Sequence, residues 1–267
     1  MEALERGRLN TRMVDVDWAQ THDCCFDTDR VPKLLEQVER TEQADQVEQA
    51  QRGSDAEAWQ ELGYRLVLEH DLVSPASFAA LPTLVRLAHN NTNARRLAGE
   101  IMERAAGQHG CDELLAERAD AVMGFRELLD SHLRSRPADY LAAFRALLAV
   151  EKQYHWASVL GDFTDDFFHV GCPHCAVEVT VAVGCHGHYS AIRDWHLGDV
   201  GRRTLRPACA EELSGTGRWM HRIAVRDGED VLADGILHLF GKAECPRCMS
   251  VFTIADEYAS ANLPALR

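Results

Sequence analysis

The chain has 267 residues, 46% of them hydrophobic and 26% charged, a globular composition with enough apolar side chains for a sizeable core. Its 28 basic and 42 acidic residues leave a formal charge of −14, split −9 and −5 across residues 1–161 and the remainder, so neither part offers the basic field that a nucleic-acid backbone demands. The longest runs without Asp, Glu, Lys or Arg, Leu72 to Val85 and Val179 to Ile192, are 14 residues each, short of the about 20 that span a bilayer.

Residues 1–12 mix charges of both signs with no apolar stretch, so they read as a disordered lead-in without a secretory signal, and a cytoplasmic protein is expected. Met13 offers an alternative start. From Val31 the pattern turns helical: Val31, Leu34, Leu35 and Val38 share one face. Polar sequence follows, and Gly53-Ser54-Asp55 reads as a break, with Ser54 or Asp55 capping a helix that carries Trp59, Leu62, Leu66 and Val67. Ser74-Pro75 marks the next helix start, since proline is tolerated at the first helical position.

Phe78 to Ala106 contains two amphipathic stretches joined by the polar turn His89 to Asn93. Pro82 before Leu84 and Val85, followed by Arg95, Arg96 and Ala98, resembles a HEAT-type repeat unit. Weaker echoes pair residues 31–40 with 58–68 and residues 125–136 with 140–150. Spacing of roughly 40 residues points to a short α-solenoid, which presents an extended binding surface, although a plain helical bundle uses the same amphipathic helices.

At Asp162 the character changes to FTDDFFHVG, and Ala176 to Val183 (AVEVTVAV) alternates like a half-buried strand. A His- and Gly-rich loop from Cys185 to Gly198, a turn at residues 214–217, helices at 218–226 and 229–240 and a strand at 249–254 complete the reading.

Cys172-Pro173-His174-Cys175 and Cys245-Pro246-Arg247-Cys248 repeat one C-P-x-C pattern, each just before a strand-like run. Two such turns supply the four soft sulfurs that tetrahedral zinc accepts, and a closed four-cysteine shell makes one structural Zn2+ rather than a reactive one. Rubredoxin-type iron, a redox pair and unrelated thiols are the competing readings. The turns resemble zinc-ribbon knuckles. They depart from that pattern in having Ala176 and Met249 where such knuckles often carry glycine, and in the 69 residues that separate Cys175 from Cys245.

Cys185, His186, His188 and His196 crowd one loop and, with Cys209, are candidates for a second metal site, which would make the chain a metal-dependent enzyme. No G-x-G-x-x-G or Walker-type loop is present, so nucleotide binding is not expected. Trp59 and Trp219 lie on apolar helical faces, whereas Trp18 and Trp195 are candidate anchors for a partner. Arg202, Arg203, Arg206, Arg218 and Arg222 would have to form a basic face for a zinc-ribbon regulator of nucleic acid, against the overall field.

Trp18, then Asp29-Arg30-Val31-Pro32-Lys33-Leu34-Leu35, then Ala76 to Leu84 (ASFAALPTL) together resemble a family of bacterial HEAT-like proteins. Some members look like immunity proteins that neutralise a toxin. That resemblance implies a non-catalytic protein that acts by binding another protein, and the acidic charge favours a basic one. The expected fold is mainly α: residues 13–161 as a HEAT-like α-solenoid, and 162–267 as a small α+β zinc-ribbon module with a helical insertion.

Overall fold

The computed structural model describes residues 16–43, 49–68, 72–105, 108, 110–194 and 196–262. The expected lead-in and Trp195 lie outside the described residues.

The described residues begin with a short 3-10 turn, Trp18–Gln20, and then run through α1 (Arg30–Gln43), α2 (Gln49–Leu66) and a minimal hairpin of β1 (Val67–Leu68) and β2 (Leu72–Val73). Next come α3 (Pro75–Leu87), α4 (Thr92–Ala105), α5 (Cys111–Ala116), α6 (Ala119–Arg134), α7 (Tyr140–Val150) and α8 (Tyr154–Val159). Strands β3 (Asp165–Gly171), β4 (Glu178–Gly184), β5 (Tyr189–Asp194) and β6 (Gly198–Thr204) follow. The order then continues with α9 (Gly215–Asp227), α10 (Asp230–Leu239), β7 (Lys242–Glu244), β8 (Val251–Thr253) and α11 (Ile254–Asn262). The fold is mainly helical, with a small antiparallel sheet.

The apolar stripe Val31, Leu34, Leu35 and Val38 is buried, as its helical spacing requires. Helix α3 starts at Ser74-Pro75 as expected, and the Ser77 hydroxyl accepts the Ser74 amide at 3.1 Å. Most of α3 is buried, including Phe78, Leu81, Leu84 and Val85, because α1, α4 and α6 all pack against it. Helix pairs α1/α2, α3/α4 and α6/α7 pack internally; α1, α3 and α6 also touch in succession, as do α2, α4 and α7. Gly99 permits the close approach of α4 to α7, where an added Cβ would stand 3.1 Å from Ala146 Cβ.

One expectation fails in the first half. Helix α2 runs straight through Gly53-Ser54-Asp55 instead of starting there. Asp55 is held from outside its own helix, accepting the Thr41 hydroxyl at 2.9 Å, so tertiary contact overrides the local break signal. Trp18, a candidate partner anchor, is half-buried and packs against the main core.

A half-buried carboxyl, that of Glu103, lies in the α4–α7 seam. Burial pushes Glu103 up to about 7, outweighing the opposing effect of Arg145 at 3.7 Å. A raised native pKa favours the protonated fold, so this contribution is full below the ordinary glutamate pKa of 4.5 and is lost as pH rises through about 7. Glu103→Gln is therefore expected to flatten the fall in stability between about pH 5 and 8, by on the order of 2 kcal/mol, in urea titrations across that range. A parallel loss in both proteins would place the titrating group elsewhere.

The four-stranded sheet is an antiparallel meander in the order β3-β4-β5-β6, paired from Asp165↔Gly184 to Gly171↔Glu178 at its first seam. Strand β4 is buried on both faces over residues 179–183, not on one as its alternation suggests. Val179, Val181 and Val183 join the main core. On the opposite face Ala182 packs with Tyr189, Ala191 and Phe167, covered in turn by Arg202 over Tyr189 at 4.1 Å and Arg193 over Phe167 at 5.2 Å. The expected loop at 185–198 contains β5, and β6 follows it directly. Residues 214–217 start α9, with Ser214 at the N-cap position, rather than forming an isolated turn.

The helical and sheet-bearing parts share one continuous core. Phe144 of α7 stacks on Trp219 of α9 at 6.1 Å, and Trp156 of α8 meets Phe240 at 5.1 Å. Trp59 is buried and Trp219 half-buried, both in core contacts as their helical faces suggested.

Candidate metal centre

Both C-P-x-C turns sit at hairpin ends: Cys172–Cys175 joins β3 to β4, and Cys245–Cys248 joins β7 to β8. The two turns share one backbone design. The amide of the first cysteine donates to the carbonyl five residues on, Cys172 to Val177 and Cys245 to Ser250, each at 2.9 Å. The residue after the second cysteine donates back to the first, Ala176 to Cys172 and Met249 to Cys245, again at 2.9 Å. Closing that turn forces Ala176 to φ 56° and Met249 to φ 63°. These are the positions where the sequence lacks glycine, and each Cβ costs about 1–2 kcal/mol in the left-handed region. Ala176→Gly and Met249→Gly are each expected to raise stability by up to about 1 kcal/mol, as read from the denaturant midpoint, with glycine's unfolded-state entropy offsetting part of the gain.

The hairpins meet because β7 packs beside β5 and β6, and the Ser190 hydroxyl donates to the Glu244 carbonyl at 2.7 Å. Cys172 Sγ then lies 3.6 Å from Cys248 Sγ, and Cys175 Sγ lies 3.7 Å from Cys245 Sγ. All four sulfurs fall within 4.8 Å of one another. Those separations are far beyond a disulfide bond of about 2.05 Å. They match the about 3.8 Å edge of a tetrahedron with metal–sulfur bonds of about 2.3 Å. The four cysteines can hold a metal ion, and the 69-residue separation is bridged by folding β5, β6, α9 and α10 between the two turns.

Cys172 and Cys245 are buried, whereas Cys175 and Cys248 are half-buried toward the surface. Burial pushes the Cys245 thiol up to about 12, while hydrogen bonds from the Ser250 hydroxyl and amide bring Cys248 down to about 6. Ser250 is thus part of the site as a donor to sulfur. Its only sequence signal is its place two residues beyond the last cysteine.

The other candidate ligands are divided by the structure. Cys185 and His186 gather with Asp165, all three exposed, and His186 Nε2 is 3.1 Å from the Asp165 carboxylate. His188 joins Asp234 and His238 of α10 instead, and burial followed by the neighbouring His238 lowers its pKa. His196 belongs to neither group; it lies in the β5–β6 turn, where its amide donates to Asp194 at 2.8 Å. Cys209 is exposed and also outside both groups. Sequence reading missed Asp165, Asp234 and His238, of which Asp234-x-x-x-His238 carried a legible signal as a helical i,i+4 pair.

The five arginines considered as a basic face are spread over two elements and their flanks, and four are engaged. Arg203 and Arg206 each approach Glu244 at 3.4 Å, Arg202 stands 3.8 Å from Asp199, and Arg218 donates to the Leu213 and Glu211 carbonyls. No helix among the described residues is long and apolar enough to cross a membrane. Comparison with known proteins finds no family model, no curated protein and no solved structure that matches this chain.

Proposed function

We propose that this chain is a zinc-stabilised scaffold that binds another protein, a basic one, through its helical surface. The observation that carries the reading is the order of helix contacts: α1, α3 and α6 in one succession and α2, α4 and α7 in the other. That order suits a short HEAT-like α-solenoid, whose stacked pairs offer an extended surface for a macromolecule. Zinc is the ion best matched to four thiolates in tetrahedral array, and a shell filled by four cysteines leaves no position for a substrate. The charge of −14, with −9 in residues 1–161, supplies long-range attraction for a cationic surface. In the immunity-type form of this reading the partner is a basic toxin domain, and the encounter takes place in the cytoplasm.

The test uses the full zinc-loaded chain and a purified candidate partner recovered by affinity capture. The expected result is a 1:1 complex by calorimetry, with association that slows and affinity that falls as ionic strength rises past the about 8 Å Debye length of physiological salt. A reproducible metal-dependent turnover of substrate, or a complex that requires unfolding the α1–α7 region, overturns it.

A further inference from the structure

A cleft of about 500 Å³ opens between the β3–β4 end of the sheet and α10, lined in part by Phe163, Val183, Cys185, His188, Val231 and Asp234. Its floor is built with some strain: Phe163 adopts φ 58° and lies over Gly235, where any Cβ would collide with the Phe163 ring. None of these residues serves the four-cysteine centre.

At the cleft's edge Asp234 and His238 stand one helical turn apart on α10, so both side chains project from one face. His188, just before β5, comes across to meet them. Its Nε2 lies 3.8 Å from the Asp234 carboxylate, and His238 Nδ1 lies 3.4 Å from the same oxygen. The two imidazole rings stack with centroids 3.9 Å apart and planes 19° apart. A donor atom from each of the three residues falls within 4.8 Å of the others. His238 is buried, and its Nδ1 stands 3.0 Å from the Asp234 carbonyl. The nitrogen of His238 that faces the Asp234 carboxylate is therefore Nδ1, and it takes a cation in the tautomer that carries its proton on Nε2, giving up the bond to the Asp234 carbonyl. Among the described residues the ion-pair partners of Asp234 are these two histidines; none is a lysine or arginine.

Two stacked imidazoles beside a carboxylate form a donor set suited to a cation. We propose that His188, Asp234 and His238 form a second metal site, for a divalent first-row ion such as zinc or cobalt, with its remaining coordination positions open to the cleft. Two nitrogens and one oxygen are the ligands such ions accept, and three protein ligands leave room for water or an anionic group from a small molecule. Binding draws the rings out of their stack toward the shared carboxylate. The site is chemically distinct from the four-thiolate centre, being harder in its donors and one protein ligand short.

The experiment is a Co2+ titration of the full chain already holding its zinc, followed by visible absorption and calorimetry, with zinc content measured throughout. The expected result is one Co2+ bound per chain with ligand-field bands, no thiolate charge-transfer band and no zinc released. His188→Ala and His238→Gln are each expected to weaken that binding by more than about tenfold, the scale that even outer-sphere partners of a metal ligand carry. His188 is the more exposed of the two, so its variant tests the site even where His238→Gln disturbs α10. Cys185→Ser leaves the binding unchanged. The proposal is overturned if no Co2+ binds beyond that displacing zinc, if the His188 variant binds as tightly as the parent, or if a thiolate band appears and vanishes with Cys185→Ser.

Discussion

Cys172→Ser is expected to remove the thiolate-bound metal and to unfold the paired hairpins β3–β4 and β7–β8. Structural thiolate sites contribute apparent folding free energies of about 10–16 kcal/mol in small zinc peptides. Whole domains have only about 5–15 kcal/mol to lose. Cys172 is buried, so its serine hydroxyl would face three unbridged sulfurs with no ion to organise them. Metal content measured beside circular dichroism should fall by one ion per chain, with loss of a cooperative transition in the sheet. Cys245→Ser should behave alike, and Cys209→Ser, which changes an exposed thiol outside the cluster, should leave both readings intact. An unchanged number of bound ions per chain in both buried variants would remove the four-cysteine assignment.

The second large effect is expected at the seam between the helices and the sheet-bearing half. Asp227 has a side chain only 1% exposed, and Arg226 grips it through two bonds of 2.6 and 2.8 Å while also reaching Asp130 of α6 at 2.6 Å. The Tyr140 hydroxyl supplies a further bond at 3.0 Å. Arg226→Met would leave Asp227 buried with tyrosine as its remaining side-chain donor and is expected to cost about 3 kcal/mol, because an uncompensated buried charge is far worse than an absent pair. At about 2–4 °C per kcal/mol for a chain of this size, Tm should drop by about 6–12 °C. Adding Asp227→Asn should recover part of that loss, since a neutral amide still meets Tyr140 without carrying charge. A Tm unchanged by Arg226→Met would mean that the carboxylate is hydrated rather than desolvated.

Helices α1, α3, α4, α6 and α7 were legible because each carries an apolar stripe of its own, independent of distant partners. The two cysteine turns were legible for a similar reason: a short motif states its own chemistry. Strands β5 and β6 were not. Arg193 and Arg202 hold β6 residue Asp199 against the sheet, Tyr189 donates to the same carboxylate at 2.6 Å, and such cross-strand bonds leave no periodic trace in a stretch of glycine, histidine and charge. Residues 49–55 were misread because the contact that settles them comes from Thr41 on another helix. The grouping of His188 was hidden as well, since its neighbours lie about fifty positions away and meet it only after α10 packs on β4.

The placement of the cysteine turns has a consequence for biosynthesis. The ligand pair Cys175 and Cys245 is 70 positions apart. At about 5–20 residues per second, a ribosome leaves the first two thiols waiting roughly 4–14 s for the others. During that interval Cys172 and Cys175 form a half-built nest, open to oxidants that the finished centre would exclude. Yield in the cell should therefore depend on the reducing state and the metal supply during translation, and late addition of metal to oxidised chains should rescue little of it.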